Sequence, residues 1–319
     1  MSGKSRRVCI APQLIILALI IACAGGSNKS YNASIPSPSA KTFASPEAAG
    51  NSLLEAAKSD DQNAVLAIFG PESKEIIFSG DAVQDKTTIT KFVNAYEVMH
   101  RWRKMPNGVQ VMLIGADNFA FPIPLKKNGS GQWFFDTAAG KDEILARRIC
   151  RNELAVIDVC GALADAQAEY FSQRHTDGKT RHYAVKFISD PGTQNGLYWQ
   201  SSEGQPRSPL GPLVAFASTE GYNAQANSHV PFHGYYFHML DRQGSHAQGG
   251  AKDYMVDGKM VNGFAFIAYP AEYGNSGVMT FIINQDGVLF QKDLGKTTAE
   301  TAAAIHEFDP ESDWVPVEE

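Results

Sequence analysis

The spacing of apolar and polar positions changes character along the chain, and each change marks an element. From Phe43 onward the apolar residues first recur at three and four, the helical period. Ser45-Pro46-Glu47 supplies a capping hydroxyl, a proline for the first helical position and an acid for the first turn. The stretch that follows, "PEAAGNSLLEAAKSD", therefore reads as an amphipathic helix. "QNAVLAIFG" predicts a second helix closed by Gly70, and "KTTITKFVNAYEVMHRWR" a third with Ile89, Phe92, Val93 and Tyr96 on one side. The basic-aromatic "HRWRK" (His100 to Lys104) falls at the solvated end of that third helix. The period then drops toward two. "VQVMLIG", "FAFPIPLKK" and "GQWFFDTA" read as strands, with a turn in "KKNGSGQW". Helices packed on a small antiparallel sheet bury both patterns at once, giving an α+β domain over residues 43–139.

The helical period returns in "KDEILARRICRNELAVIDVCGALADAQAEYFSQ". Leu154, Ile157, Cys160, Leu163 or Ala164, Gln167, Tyr170 and Phe171 form its stripe; acids lead (Asp142, Glu143) and arginines follow (Arg147, Arg148, Arg151), an order that suits pairing at four-residue spacing. Such a helix is ~50 Å long at ~1.5 Å per residue and joins the two lobes. Gly161 in its middle suggests close packing against a sheet. Between Asp177 and Asn227, proline and glycine recur too often for regular elements, and ordered loops of that length are often functional. Strand patterns follow at "FHGYYFHMLDRQ" and "GFAFIAYP". Hairpins are centred on Asp257-Gly258 and Asp286-Gly287, where Asp-Gly favours the primed turns. A last helix spans roughly Thr297 to Glu307. Residues 140–319 thus read as a long helix with a β-rich domain packed on it.

The N-terminus changes the picture of where the chain works. "MSGKSRRVCIAPQLIILALIIACAGGS" has a basic head, an apolar run from Leu14 to Ala22 and small residues after it, the pattern of a secretory signal over residues 1–24. Ile20-Ile21-Ala22-Cys23 is lipobox-like and makes Cys23 the lipid-bearing residue; Ala22-Cys23-Ala24 also suits ordinary cleavage and plain secretion, and a retained N-terminal anchor helix is the third reading. Residues 25–42 are Ser-, Asn-, Pro- and Gly-rich and read as a disordered tether. The expected location is the periplasm or the outer membrane, with contact to the membrane through the lipid anchor only. The remaining cysteines, Cys150 and Cys160, lie ten residues apart on one helix, ~15 Å along its axis, too far for a disulfide; both are expected to be unpaired and buried. A net charge of −6 gives no reason to bind nucleic acid.

Several stretches together carry a resemblance: "FPIPL", "WFFDTAAGKDEILARRICRNEL", "PFHGYYF", "NGFAFIAYPAEYGNSGVMTF" and "NQDGVLFQKDLG". They resemble a bacterial exported family, domain of unknown function 2950, across roughly Phe43 to Trp314. That family brings no established activity and no catalytic residue. In order, "RNELAVIDVCGALADAQAEYF", an irregular loop, "HGYYFHMLD", "GFAFIAYP" and "SGVMTFIINQDGVLF" are also similar to the globular half of type IV pilins and type II pseudopilins. That similarity implies a pilin-like antiparallel sheet on a helical spine. The charged residues Asp142, Glu143, Arg147 and Arg148 replace the apolar assembly helix of a pilin.

Candidate chemistry is sparse. His229, His233 and His238 cluster, with His246 nearby, but no HExxH or CxxC accompanies them, so structural histidines are the expectation, with no metal and no cofactor. "GNSGV" does not fit the nucleophile-elbow pattern, and Ser276 there lacks an evident base. His233, Tyr235, Tyr198, Trp199 and Tyr273 are the candidate binding surface. The leading reading is a non-enzymatic envelope protein that binds or scaffolds an envelope protein or small ligand. The alternative is a periplasmic hydrolase with a site near His233, Tyr235 and Tyr273.

Overall fold

Side-chain caps start the helices of the N-terminal half in the computed structural model, which describes residues 40–173, 181–201, 204, 206–223 and 230–318. The expected signal segment, Cys23 and the expected tether up to residue 39 lie outside the described residues. Ser45 accepts from the Ala48 N–H and begins α1 (Pro46–Lys58); Asp61 does the same for α2 (Gln62–Phe69) through the Asn63 N–H. A short turn of helix, α3 (Lys74–Ile77), leads to Asp81, which caps α4 (Ala82–Val98). Three helix faces close on the strands β1 (His100–Lys104), β2 (Gln110–Ile114), β3 (Phe119–Ala120), β4 (Leu125–Lys127) and β5 (Trp133–Phe135). The order is β1-β2-β4-β5, antiparallel throughout, with the short β3 also on β2. Phe43, Leu53, Ile68, Phe69, Tyr96, Met112, Leu125 and Phe135 fill the core between them.

One expectation fails here. "HRWRK" does not end the third helix but forms edge strand β1, paired with β2 from His100↔Ile114 to Lys104↔Gln110. Its only inward residue is Trp102, which packs on the core while His100, Arg101, Arg103 and Lys104 are exposed. Cross-strand pairing outweighs the helical spacing that continues past Val98.

The long helix α5 (Thr137–Ser172) starts at the buried Asp136, whose Oδ1 accepts from the Ala139 N–H while Lys126 pairs with Oδ2 at 2.6 Å. Its 36 residues run past both apolar cores. The stripe it buries is Arg148, Asn152, Val156, Val159, Cys160, Leu163, Ala166, Gln167 and Tyr170. Leu154 lies outside it, 46% exposed. A Cβ at Gly161 would meet nothing within 4 Å, so no close packing explains that glycine. Cys160 is buried as expected but Cys150 is exposed, and they form no disulfide.

The C-terminal half opens with an irregular segment, within which α6 (Gly211–Glu220) is a helix the sequence reading did not anticipate. Pro212 occupies its first turn and Gly221, at φ 100°, ends it in the left-handed conformation. The main sheet combines β6 (Tyr235–Leu240), β11 (Ala265–Pro270), β12 (Met279–Asn284), β13 (Leu289–Asp293) and β15 (Val315–Pro316) in the order β15-β13-β12-β11-β6, all antiparallel. Smaller pairings involve β7 (Arg242–Gln243), β8 (Lys252–Asp253), β9 (Met255–Val256), β10 (Lys259–Met260) and β14 (Glu307–Phe308), and α7 (Thr298–Ala304) packs on β11. Phe266, Ile267, Phe281, Ile282 and Tyr235 belong to a second core, consecutive strand residues filling opposite faces of the sheet. The Asp257-Gly258 turn has both central residues at positive φ, as a primed turn requires. At Asp286-Gly287 only Gly287 does; the side chain of Asn284 accepts from the Asp286 N–H and sets a longer loop instead. The architecture is α+β. Among the described residues, no helix is long and apolar enough to cross a membrane.

Candidate functional site

Where the two cores meet, the buried groups are polar. Asp81, 2% exposed, caps α4 by accepting from the Val83 and Gln84 N–H groups, both at 3.1 Å, through Oδ1. Its Oδ2 accepts from the Tyr222 hydroxyl at 2.6 Å and from the Gly234 N–H at 3.3 Å. One carboxylate thus terminates a helix of the first lobe and holds two loops of the second. The second loop can reach it because His233 and Gly234 both adopt positive φ, 50° and 74°. A Cβ at Gly234 would sit 2.7 Å from Asn152 Nδ2 and 2.9 Å from Ser276 Cβ, so only glycine fits.

Helix α5 supplies the centre. Arg148 donates to the carbonyls of Glu75 at 3.3 Å and Ile76 at 2.6 Å, at the C-terminus of α3, and to Asn275 Oδ1 in the loop before β12. A cation facing the last carbonyls of a helix is favourably placed. Burial pulls the Arg148 guanidinium below its ordinary value, and the charges of Asp85 and Glu272 act in the opposite direction. One turn on, Asn152 accepts from Gln84 Nε2 and donates to the Ser276 carbonyl, both at 2.8 Å. Glu153 then accepts from the Val278 and Met279 N–H groups at 3.0 Å, anchoring the start of β12. Asp85 accepts from the Ser79 N–H and hydroxyl, and burial raises its carboxyl above the usual range.

The rim of this junction carries the titratable groups. His233 Nε2 lies 3.3 Å from Glu220 Oε2. Burial lowers the His233 imidazole, which favours its neutral form, and raises the Glu220 carboxyl. Burial and the neighbouring Asp81 carboxylate push the Tyr222 phenol far upward, so it remains a donor. Arg151 reaches solvent, yet burial around its guanidinium lowers it below its ordinary value, with the charges of Asp85, Tyr222 and Asp81 acting in the opposite direction; it makes no hydrogen bond or ion pair among the described residues. Perturbed groups gathered in one place mark a candidate functional site. The same groups also close the seam between the cores.

The family comparison gives the chain its place. The family model described as Protein of unknown function (DUF2950) matches residues 40–317. The chain belongs to the DUF2950 family. No curated protein and no solved structure matches it, so the pilin-like expectation is not confirmed; α5 does pack on β11, β12 and β13.

In this DUF2950 chain the residues singled out from the sequence fall in separate places. His233 belongs to the junction rim. Tyr235 is fully buried in the second core and donates to the Met279 carbonyl at 3.0 Å; its ring occupies the space a Cβ at Gly277 would need. Tyr273, on the loop before β12, donates to Asp293 Oδ2 at 3.2 Å. Trp199 packs against Tyr170 and donates to the Pro206 carbonyl, while Tyr198 lies half-buried beside Ile188. The five do not form one surface. Cys23 and His229 lie outside the described residues. Ser276 is fully buried, its hydroxyl engaged with the backbone of Glu272. Asp81, Arg148, Asn152, Glu220 and Tyr222 escaped the sequence reading. The available signal was the four-residue step Arg148–Asn152–Val156, which puts two polar residues on the face that becomes apolar.

Proposed function

We propose that the protein is exported, anchored by lipid at Cys23, and acts at the cell envelope as a binding or scaffolding module without turnover of its own. The observation that carries this reading is the junction. Asp81, Arg148, Asn152 and Glu153 all spend their hydrogen-bonding capacity joining one half of the described chain to the other. This yields a body whose rim, with Arg151, Glu220 and His233, keeps a fixed shape, and a preorganised surface loses less entropy on binding. The groups a hydrolase near His233, Tyr235 and Tyr273 would need are engaged at three separate positions. The test is recovery of partners from detergent-solubilised envelope by the intact lipidated chain, set against the exposed-site variant Arg151→Glu. A partner held by the natural chain and lost by the variant supports the reading. Equal recovery by both, or hydrolysis of an envelope substrate by the purified chain, overturns it. Mass analysis of the mature N-terminus tests the anchor; an unmodified terminus beyond Cys23 contradicts it.

A further inference from the structure

Away from the junction, three potential metal ligands from two distant segments come together: His246, Asp309 and Glu311, with one ligand atom from each lying within 4.8 Å of the others. We propose that they form a binding site for a divalent transition-metal ion of the zinc type.

The positions are built and not merely adjacent. His246 sits on the loop between β7 and β8. Buried Gln243 braces that loop from within: its Nε2 donates to the carbonyls of Gln248 at 3.1 Å and Gly250 at 2.6 Å, and its Oε1 accepts from the Tyr254 hydroxyl at 3.0 Å. Ala247, 4% exposed, pins the loop tip to the second core. The loop turns back through Gly249 and Gly250, both at positive φ. Asp309 follows β14, which pairs parallel with β7, so the two ligand-bearing segments are held in register. Its Oδ1 accepts from the His246 N–H at 2.7 Å, and Oδ2 lies 2.9 Å from His246 Nδ1. A Cβ at position 244 would fall 2.3–2.6 Å from the Asp309 carboxylate, so a glycine there is a condition of that carboxylate's position. The Glu311 N–H donates to the Asp309 carbonyl at 2.8 Å, a turn that brings the second carboxylate to the same side.

One imidazole and two carboxylates are borderline-to-hard donors. They suit zinc, cobalt or manganese, and the exposure of His246 and Glu311 leaves room for water to complete the shell. An ion here would tie the loop after β7 to the C-terminal segment. It would bind the folded chain and not the unfolded one, and so raise thermal stability.

The experiment is calorimetric titration of Zn2+ into the purified full chain, with thermal melting in parallel and Co2+ as an absorbing substitute. The expected result is one saturable equivalent, a raised Tm and a ligand-field spectrum with Co2+. His246→Gln and Glu311→Gln should each weaken binding at least ~10-fold, since even outer-shell changes at metal sites have effects of that order. Glu311 is exposed, so its variant folds whether or not Asp309 is also needed for structure. No saturable binding to the natural chain, or unchanged affinity in both variants, overturns the proposal.

Discussion

Arg148 carries the largest expected single-residue effect. Replacing it with methionine keeps the length of the side chain and removes donors to the Glu75 and Ile76 carbonyls and to Asn275. Each buried acceptor left unsatisfied costs about 1–3 kcal/mol, so Arg148→Met should destabilise the chain by about 3 kcal/mol or more in urea denaturation. His238 gives a pH signature. Its Nε2 lies 3.1 Å from the Ile305 carbonyl, and burial, with His306 adding to it, holds the imidazole below its ordinary 6.5. The unfolded chain takes up that proton first as pH falls. Stability is therefore full above about 6.5 and is lost as pH drops from there through the folded value. His238→Gln should flatten that part of the stability–pH curve; an unchanged curve would contradict the neutral imidazole. Neither residue's role was visible beforehand. In the sequence Arg148 is one of three arginines following two acids, and among the described residues Arg147 pairs with Glu143 four residues back.

At the scale of elements, local chemistry was the most legible layer. Ser45-Pro46, Gly70 and Asp257-Gly258 do what their residue types demand, because caps and primed turns depend on a few adjacent atoms. The misreadings lie where distant segments decide. "HRWRK" became a strand because β2 was there to pair with it, and α6 formed in a stretch that proline and glycine had marked as irregular. Gly161 was expected to face a neighbour and faces open space; Gly161→Ala should stabilise α5 by up to ~1 kcal/mol, read as a shift in the denaturation midpoint. Asp81 ties α4 to the loop of Tyr222. A double-mutant cycle of Asp81→Asn with Tyr222→Phe should show coupling of about 0.5–3 kcal/mol, and additive effects would deny that link.

For the whole molecule, the apolar pattern divided the chain between two cores and placed a long helix across them, but it could not show that the seam between those cores is polar. The four-residue step Arg148–Asn152–Val156 puts polar residues on the core side of α5, but their partners at Glu75, Gln84, Ser276 and Met279 are fixed only by the tertiary fold. The central claim is that this seam makes the two halves one cooperative body. Hydrogen exchange followed by mass spectrometry across a urea series measures it, with peptides around Trp102 and Trp133 reporting the first core and peptides around Trp199 and Trp314 the second. Coincident transitions that shift together in Arg148→Met are the expected result; separate transitions for the two cores in the natural chain would contradict it.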